Sequence, residues 1–101
     1  MAVQIQINID TNASRSPQAT FNPGAVSARA RDQIFWTNND SEPHWPGLVK
    51  DDGTINTTFF MLNQIAPNGD TSSSFSPTVA NSVFEYACSI HPDERGVINV
   101  T

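Results

Sequence analysis

Val3, Ile5, Ile7 and Ile9 alternate with Gln4, Gln6 and Asn8 at the start of the chain, the period-two pattern of a strand that buries one face. Nowhere does a sustained helical period take over. The later apolar runs are short and broken by Gly, Pro, Asn and Asp, so the chain buries its apolar residues between sheets, as an all-β sandwich or barrel. Asp10 to Thr20 reads as a loop around Pro17. Asn22-Pro23-Gly24 turns into a second strand carrying Val26, Ala28 and Ala30, and Arg31-Asp32 turns into Gln33 to Thr37, with Ile34 and Trp36 on one face. Leu48 to Asn63 shows no assignable period beyond a short strand at Ile55 to Thr57. Pro67-Asn68-Gly69-Asp70 is a turn and Ser72 to Ser76 a polar, edge-like strand with Phe75 inward. Val83 to Cys88 follows as a strand with Phe84, Tyr86 and Cys88 on one face and Val83, Glu85 and Ala87 on the other, and Val97 to Val100 closes the chain.

At 101 residues the chain is expected to form a single domain, 1–101, with one core. Ten acidic side chains against five basic ones give a formal net charge of -5, which argues against a nucleic-acid partner because such partners need basic patches. No run reaches membrane-spanning length and no basic-then-hydrophobic leader opens the sequence, so it reads as a soluble mature form with an added Met1. The single cysteine rules out an internal disulfide framework and is either a reactive thiol or a ligand.

The chemistry concentrates between Tyr86 and Val100. Cys88 ends the alternating run and His91 follows with two residues between them, so a short loop after a strand aims a thiolate and an imidazole at one point. That is a metal-ligand arrangement. Pro92 opposes a return to regular structure just after the histidine, and Gly96 permits the turn into the closing strand. A thiolate with two imidazoles would suit copper, whose reduced ion wants a soft thiolate and whose two oxidation states both accept imidazole, but nothing local to His44 marks it as the second imidazole. Zinc accepts the same three ligands plus a carboxylate. The residue types alone leave both metals open.

Phe21-x-Pro23, Val26, Asp32-x-x-x-Trp36-x-Asn38-x-Asp40, His44, Pro67-x-Gly69, Tyr86-x-Cys88-x-x-His91-Pro92 and Gly96-x-Ile98-x-Val100 together resemble a cupredoxin of the plastocyanin and amicyanin kind, from Phe21 to the C-terminus. The resemblance implies a Greek-key β-sandwich that binds one copper ion at one end and passes single electrons between partners. It implies His44, Cys88 and His91 as the equatorial ligands, a monomeric carrier rather than an enzyme, and a periplasmic or extracellular location. Three residues after His91, where such proteins usually carry an axial methionine, this chain has Glu94. A coordinating Glu94 is a hard anionic donor that favours the oxidised ion, lowers the potential and weakens the copper-to-sulfur charge-transfer character, giving a red or otherwise non-blue site. A Glu94 turned to solvent, or paired with Arg95 or Arg29, leaves a three-coordinate or hydrated site. Met61 lies far upstream and has no ligand role in the pattern.

Trp45, Pro46, Leu48 and Pro92 flank the two histidines, and by the same resemblance they form an apolar collar around His91 on which redox partners dock in small transient contacts. Ala87 stands where plastocyanins often carry a tyrosine, which favours electron exit through His91. Trp45 follows His44 where plastocyanins commonly have Asn, which leaves Asn38 or Asn39 to tie the ligand loops. Two rival readings are copper storage, delivery or sensing, and an open-site copper enzyme acting on a small molecule. A dinuclear electron-transfer site is excluded by the single cysteine.

Overall fold

The alternation at the start of the chain becomes a strand in which Ile7 and Ile9 are fully buried while Gln4 and Gln6 face solvent. The computed structural model describes residues 3–101, so Met1, read above as an addition, lies outside the described residues. The described strands are β1 (Gln4–Thr11), β2 (Ala19–Asn22), β3 (Ala25–Ala28), β4 (Gln33–Asn38), β5 (Pro46–Val49), β6 (Ile55–Asn56), β7 (Asp70–Thr71), β8 (Ser82–Cys88) and β9 (Arg95–Val100). They form a four-stranded sheet of order β2-β1-β4-β7 and a five-stranded sheet of order β3-β9-β8-β5-β6. β1 lies parallel to β4 and β3 parallel to β9, while β5, β8 and β9 pair antiparallel. Sheet neighbours are therefore rarely chain neighbours, as in a Greek-key sandwich. No helix of the described residues is long and apolar enough to cross a membrane.

The sheets share one core. Ile7, Ile9, Ile34 and Trp36 meet Val26, Tyr86, Cys88 and Ile98 across the sandwich. Trp36 and Tyr86 touch edge to face at 5.3 Å, Phe21 joins Tyr86 at 4.8 Å and Phe60 joins Trp36 at 5.1 Å. Aromatic contacts of this kind add specific geometry to the burial of large apolar areas.

Where the observed strands depart from the alternation, a local reason is visible. β1 runs on to Thr11 because β2 returns along it from Asn8↔Asn22 to Thr11↔Ala19, so Asp10 to Thr20 is a hairpin and not a loop throughout. Only Ala19 and Phe21 point inward from β2, too few to reveal a strand beside Pro17. β3 stops at Ala28, short of Ala30, because Asp32 accepts the backbone N–H groups of Arg29 at 2.9 Å and Val3 at 3.1 Å. The chain turns there instead. Ser72 to Ser76 is not a regular strand: β7 is only Asp70–Thr71, and Phe75 meets Ile34 at an isolated bridge. The Ser72 hydroxyl accepts the Trp36 N–H at 3.0 Å, so a side chain does what the ladder would have done. The aperiodic middle segment supplies a plug, with Phe60, Met61 and Ile65 buried and Leu62 exposed. Ala87, expected on the outer face of β8, is also buried, flanked by its cross-strand neighbours Gly47 and Arg95.

Tyr86 is fully buried, and among the described residues its hydroxyl has only the Trp36 indole N–H close by, with no well-formed hydrogen bond between them. An orphaned buried polar group of this kind costs roughly 1–3 kcal/mol. Tyr86→Phe is therefore expected to raise the melting temperature by a few degrees, read by calorimetry on the metal-free protein; a clear fall would show that the hydroxyl has a partner in solution.

Candidate metal centre

The ends of β1, β4 and β8 meet the starts of β2, β5 and β9 at one end of the sandwich, through the pairs Thr11↔Ala19, Ile9↔Asn38, Pro46↔Cys88 and Ala87↔Arg95. Cys88 is the last residue of β8 and is fully buried. From it the chain turns tightly: the Cys88 N–H donates to the Glu94 carbonyl at 3.0 Å and the Glu94 N–H to the His91 carbonyl at 2.9 Å. Those two bonds carry Glu94 back over Cys88 before β9 begins. His44 comes from the other side, between β4 and β5, and is fixed by a two-way backbone bridge with Ile65 at 2.8 and 3.3 Å.

These paths bring His44, Cys88, His91 and Glu94 together, with one ligand atom from each and all four atoms within 4.8 Å of one another. Cys88 Sγ is 3.6 Å from His44 Nδ1 and 3.8 Å from His91 Nδ1. Glu94 Oε1 lies 2.9 Å from His44 Nδ1 and Glu94 Oε2 lies 3.6 Å from His91 Nδ1. Glu94 is only 1% exposed. Its carboxylate turns neither to solvent nor to Arg95 or Arg29, and that branch of the expectation is set aside. Three of the four side chains are sealed from water, and the His91 side chain retains 24% of its exposure.

The electrostatics fit a cation. His44 is pushed up to about 10: burial alone would lower it, but hydrogen bonding to Cys88 and Asp40 and the charge of Glu94, 2.9 Å away, outweigh burial. Without a metal, a proton on His44 thus takes the place of a positive ion among these groups. Glu94 Oε1 is close enough to His44 for charge attraction but is not aligned for a hydrogen bond, so it stays a buried oxygen without a hydrogen-bond partner. A soft thiolate, two imidazole nitrogens and one free carboxylate oxygen suit a copper or zinc ion.

Asp40, part of the sequence pattern above but given no role there, lies behind His44. Its Oδ2 accepts from His44 Nε2 at 2.8 Å, with both side chains fully buried. Burial would raise its carboxyl, but hydrogen bonds from Thr11, His44, the Ser41 backbone and Gln18 hold it down at about 2. The spacing of Asp40 four residues before His44 was the only sequence signal for this contact. The expected tie between ligand loops through Asn38 or Asn39 is replaced. Asn38 Nδ2 donates to the Glu42 carbonyl at 2.8 Å and the Ile65 carbonyl at 3.2 Å, framing the His44 loop alone, and Asn39 Nδ2 reaches out to Asp10 at 3.1 Å. The loops are joined by backbone instead: the Ser89 N–H donates to the Trp45 carbonyl at 2.8 Å and the Trp45 N–H to Cys88 Sγ at 3.3 Å. Of the expected docking residues, Pro46 is buried and Leu48 half-buried within β5, whereas Pro92 is exposed and Trp45 half-buried. Ile90, which the sequence did not single out, is 42% exposed beside His91.

No protein-family model matches the sequence, and no curated protein matches it. The fold, however, matches solved structures. It is similar to a purple cupredoxin from Nitrosopumilus maritimus (TM-score 0.79, 23% identity, covering 96% of this chain and 99% of that one). It is also similar to amicyanin from Paracoccus versutus (TM-score 0.72, 17% identity, 97% and 81% covered). A pseudoazurin from Sinorhizobium meliloti aligns with a TM-score of 0.67 at 16% identity over 98% of this chain and 74% of that one. The sandwich has the cupredoxin fold.

Proposed function

We propose that this chain is an electron-transfer protein with a mononuclear copper site, held by His44, Cys88, His91 and Glu94, and that residues 1–101 act as one domain. The observation that carries the reading is the buried convergence of a thiolate, two imidazole Nδ1 atoms and a carboxylate at one end of a cupredoxin fold. A bound copper ion supplies one-electron chemistry between its cuprous and cupric states. Cys88 provides the soft donor, and the Trp45 N–H at 3.3 Å stabilises its negative charge. His44 and His91 provide imidazoles acceptable to both states. Glu94 adds a hard anionic oxygen that favours the cupric state, which lowers the potential and makes the site other than blue. That one similar structure is described as purple supports a site of perturbed colour here.

The four side chains sit on strand ends and on a loop pinned by backbone hydrogen bonds, so they hold nearly one arrangement through a change of charge, as a carrier requires. Storage or sensing makes no such demand. The sealed ligand set also speaks against open-site catalysis, which needs a position that a small molecule can reach. His91 is the ligand at the surface, and the proposed exit for the electron runs through it. Ile90, Pro92 and Trp45 form the apolar collar for a transient partner, and Pro46 is removed from it by burial. A monomer working outside the cytoplasm completes the proposal.

Titration with copper(II) is expected to develop a strong thiolate-to-copper band that saturates at one ion per chain. In Glu94→Met the band is expected to shift toward blue and the reduction potential to rise, with reversible voltammetry in both proteins. A parent protein without a thiolate band would overturn the reading in favour of zinc or no metal. A Glu94→Met spectrum identical to the parent would take Glu94 out of the ligand set.

A further inference from the structure

The hairpin of β1 and β2 reaches the buried carboxylate ligand directly and the buried His44 through Asp40. Its turn is closed by the Asn12 N–H to the Gln18 carbonyl at 3.1 Å and by Asn12 Nδ2 to the Pro17 carbonyl at 2.9 Å. This leaves Thr11, Gln18 and Ala19 side by side at the mouth of the hairpin, next to the metal centre. The Thr11 hydroxyl donates to Asp40 Oδ1, and Gln18 Nε2 lies 3.4 and 3.3 Å from Asp40 Oδ1 and Oδ2. Asp40 in turn takes His44 Nε2 at 2.8 Å. One residue on, the backbone N–H of Ala19 donates to Glu94 Oε2 at 2.9 Å, while Oε1 has no hydrogen-bond partner.

We propose that this hairpin is the outer shell of the metal centre: Thr11 and Gln18 hold Asp40 against His44, and the Ala19 N–H holds Glu94 so that Oε1 alone is offered as a ligand. The inference rests on the copper reading above. A carboxylate on the far nitrogen of a ligating histidine keeps the proton on Nε2, turns Nδ1 toward the metal and makes it a stronger donor. An anchored Oε2 has less to give a metal, so Glu94 binds through one oxygen. Two ligands that stand 50 residues apart in sequence, at positions 44 and 94, are thereby set by one short turn. Thr11, Gln18 and Asp40 are positioning residues and do not touch the metal themselves.

The test uses Asp40→Asn, the pair Thr11→Val with Gln18→Leu, and the conservative Thr11→Ser. For each, the dissociation constants for copper(II) and cobalt(II) are measured by competition, together with the energy of the thiolate band, the reduction potential and the melting temperature of the metal-free protein. Asp40→Asn is expected to weaken metal binding by about 10–100-fold and the hairpin pair by about tenfold, the range typical of lost outer-shell partners. Both are expected to shift the thiolate band and the potential, while Thr11→Ser keeps the parent values. If the band and potential stay at parent values in Asp40→Asn and in the hairpin pair, the hairpin is a structural support only and the inference fails, even where the melting temperature falls. If the parent itself gives no thiolate band, the copper reading has failed first. Should Asp40→Asn not fold, the hairpin pair decides alone, since its side chains lie at a partly exposed turn.

Discussion

Cys88→Ser is expected to abolish the intense visible band of the copper(II) protein and to leave the fold nearly unchanged. The band requires charge transfer from a thiolate sulfur, and Cys88 is the chain's single cysteine. Its Sγ lies within 3.8 Å of both histidine Nδ1 atoms and accepts the Trp45 N–H, so no other group can supply a thiolate at that point. Serine has nearly the same shape, and its hydroxyl oxygen can accept the same N–H, so the apo protein should melt within a few degrees of the parent. Metal affinity should drop by more than the roughly 10–100-fold that losing an outer-shell partner costs, because a soft donor itself is gone. The cuprous form, which depends most on sulfur, should lose the most. Absorption, competition titration and calorimetry on the same preparation check the three parts together. A retained band would place the metal away from Cys88.

The second large effect is on stability and comes from Gly96. A Cβ added there would meet Cζ and the hydroxyl of Tyr86 at 2.4 Å. Tyr86 cannot swing aside, because it is fully buried and held against Phe21, Trp36 and Phe60. Overpacking of a tight core costs about 1–3 kcal/mol, and two contacts this short against a rigid ring put Gly96→Ala near the top of that range, at about 3 kcal/mol. Restricting the unfolded chain returns about 0.4–1 kcal/mol. The net loss of about 2 kcal/mol predicts a melting temperature lower by about 8–16 °C for a domain of this size. Gly24→Ala is the control: its Cβ would meet only the Phe21 carbonyl at an ordinary 3.7 Å, and it should match or slightly exceed the parent. Equal melting temperatures for the two variants would show that β9 yields at Gly96 without cost. Because Gly96 follows Glu94 by two residues, a shift of β9 should also disturb the copper spectrum.

The donors of the Cys88 loop were legible because their chemistry is carried by residue type and local spacing, whereas His44, far away in sequence, was named only through the resemblance. A cysteine ending an alternating run, with a histidine after a gap of two residues and a carboxylate three further on, converges wherever the strand ends. The support around them was not legible. Thr11 and Asp40 are 29 residues apart and Ala19 and Glu94 are 75 apart, and no period within a single strand names a partner on another. The same is true of β2, β5 and β7, whose two to four residues have too little pattern of their own and exist because a longer strand beside them offers free backbone groups. Pro46 reads as a surface residue by its neighbours in sequence, yet pairing with Cys88 draws it inside.

The sequence by itself thus determined that the chain is all-β, since alternation with a period of two can be satisfied only by burying one face of each strand, and it named the residue types available to a metal; that the strands form two sheets and not a closed barrel was decided by the tertiary structure. Only the tertiary structure decided that Glu94 faces inward, that its Oε1 is left without a hydrogen-bond partner, and that Asp40 stands behind His44. Those outcomes depend on which strand ends meet at the mouth of the first hairpin, and that meeting is set by long-range packing of the two sheets rather than by any local preference of the residues involved.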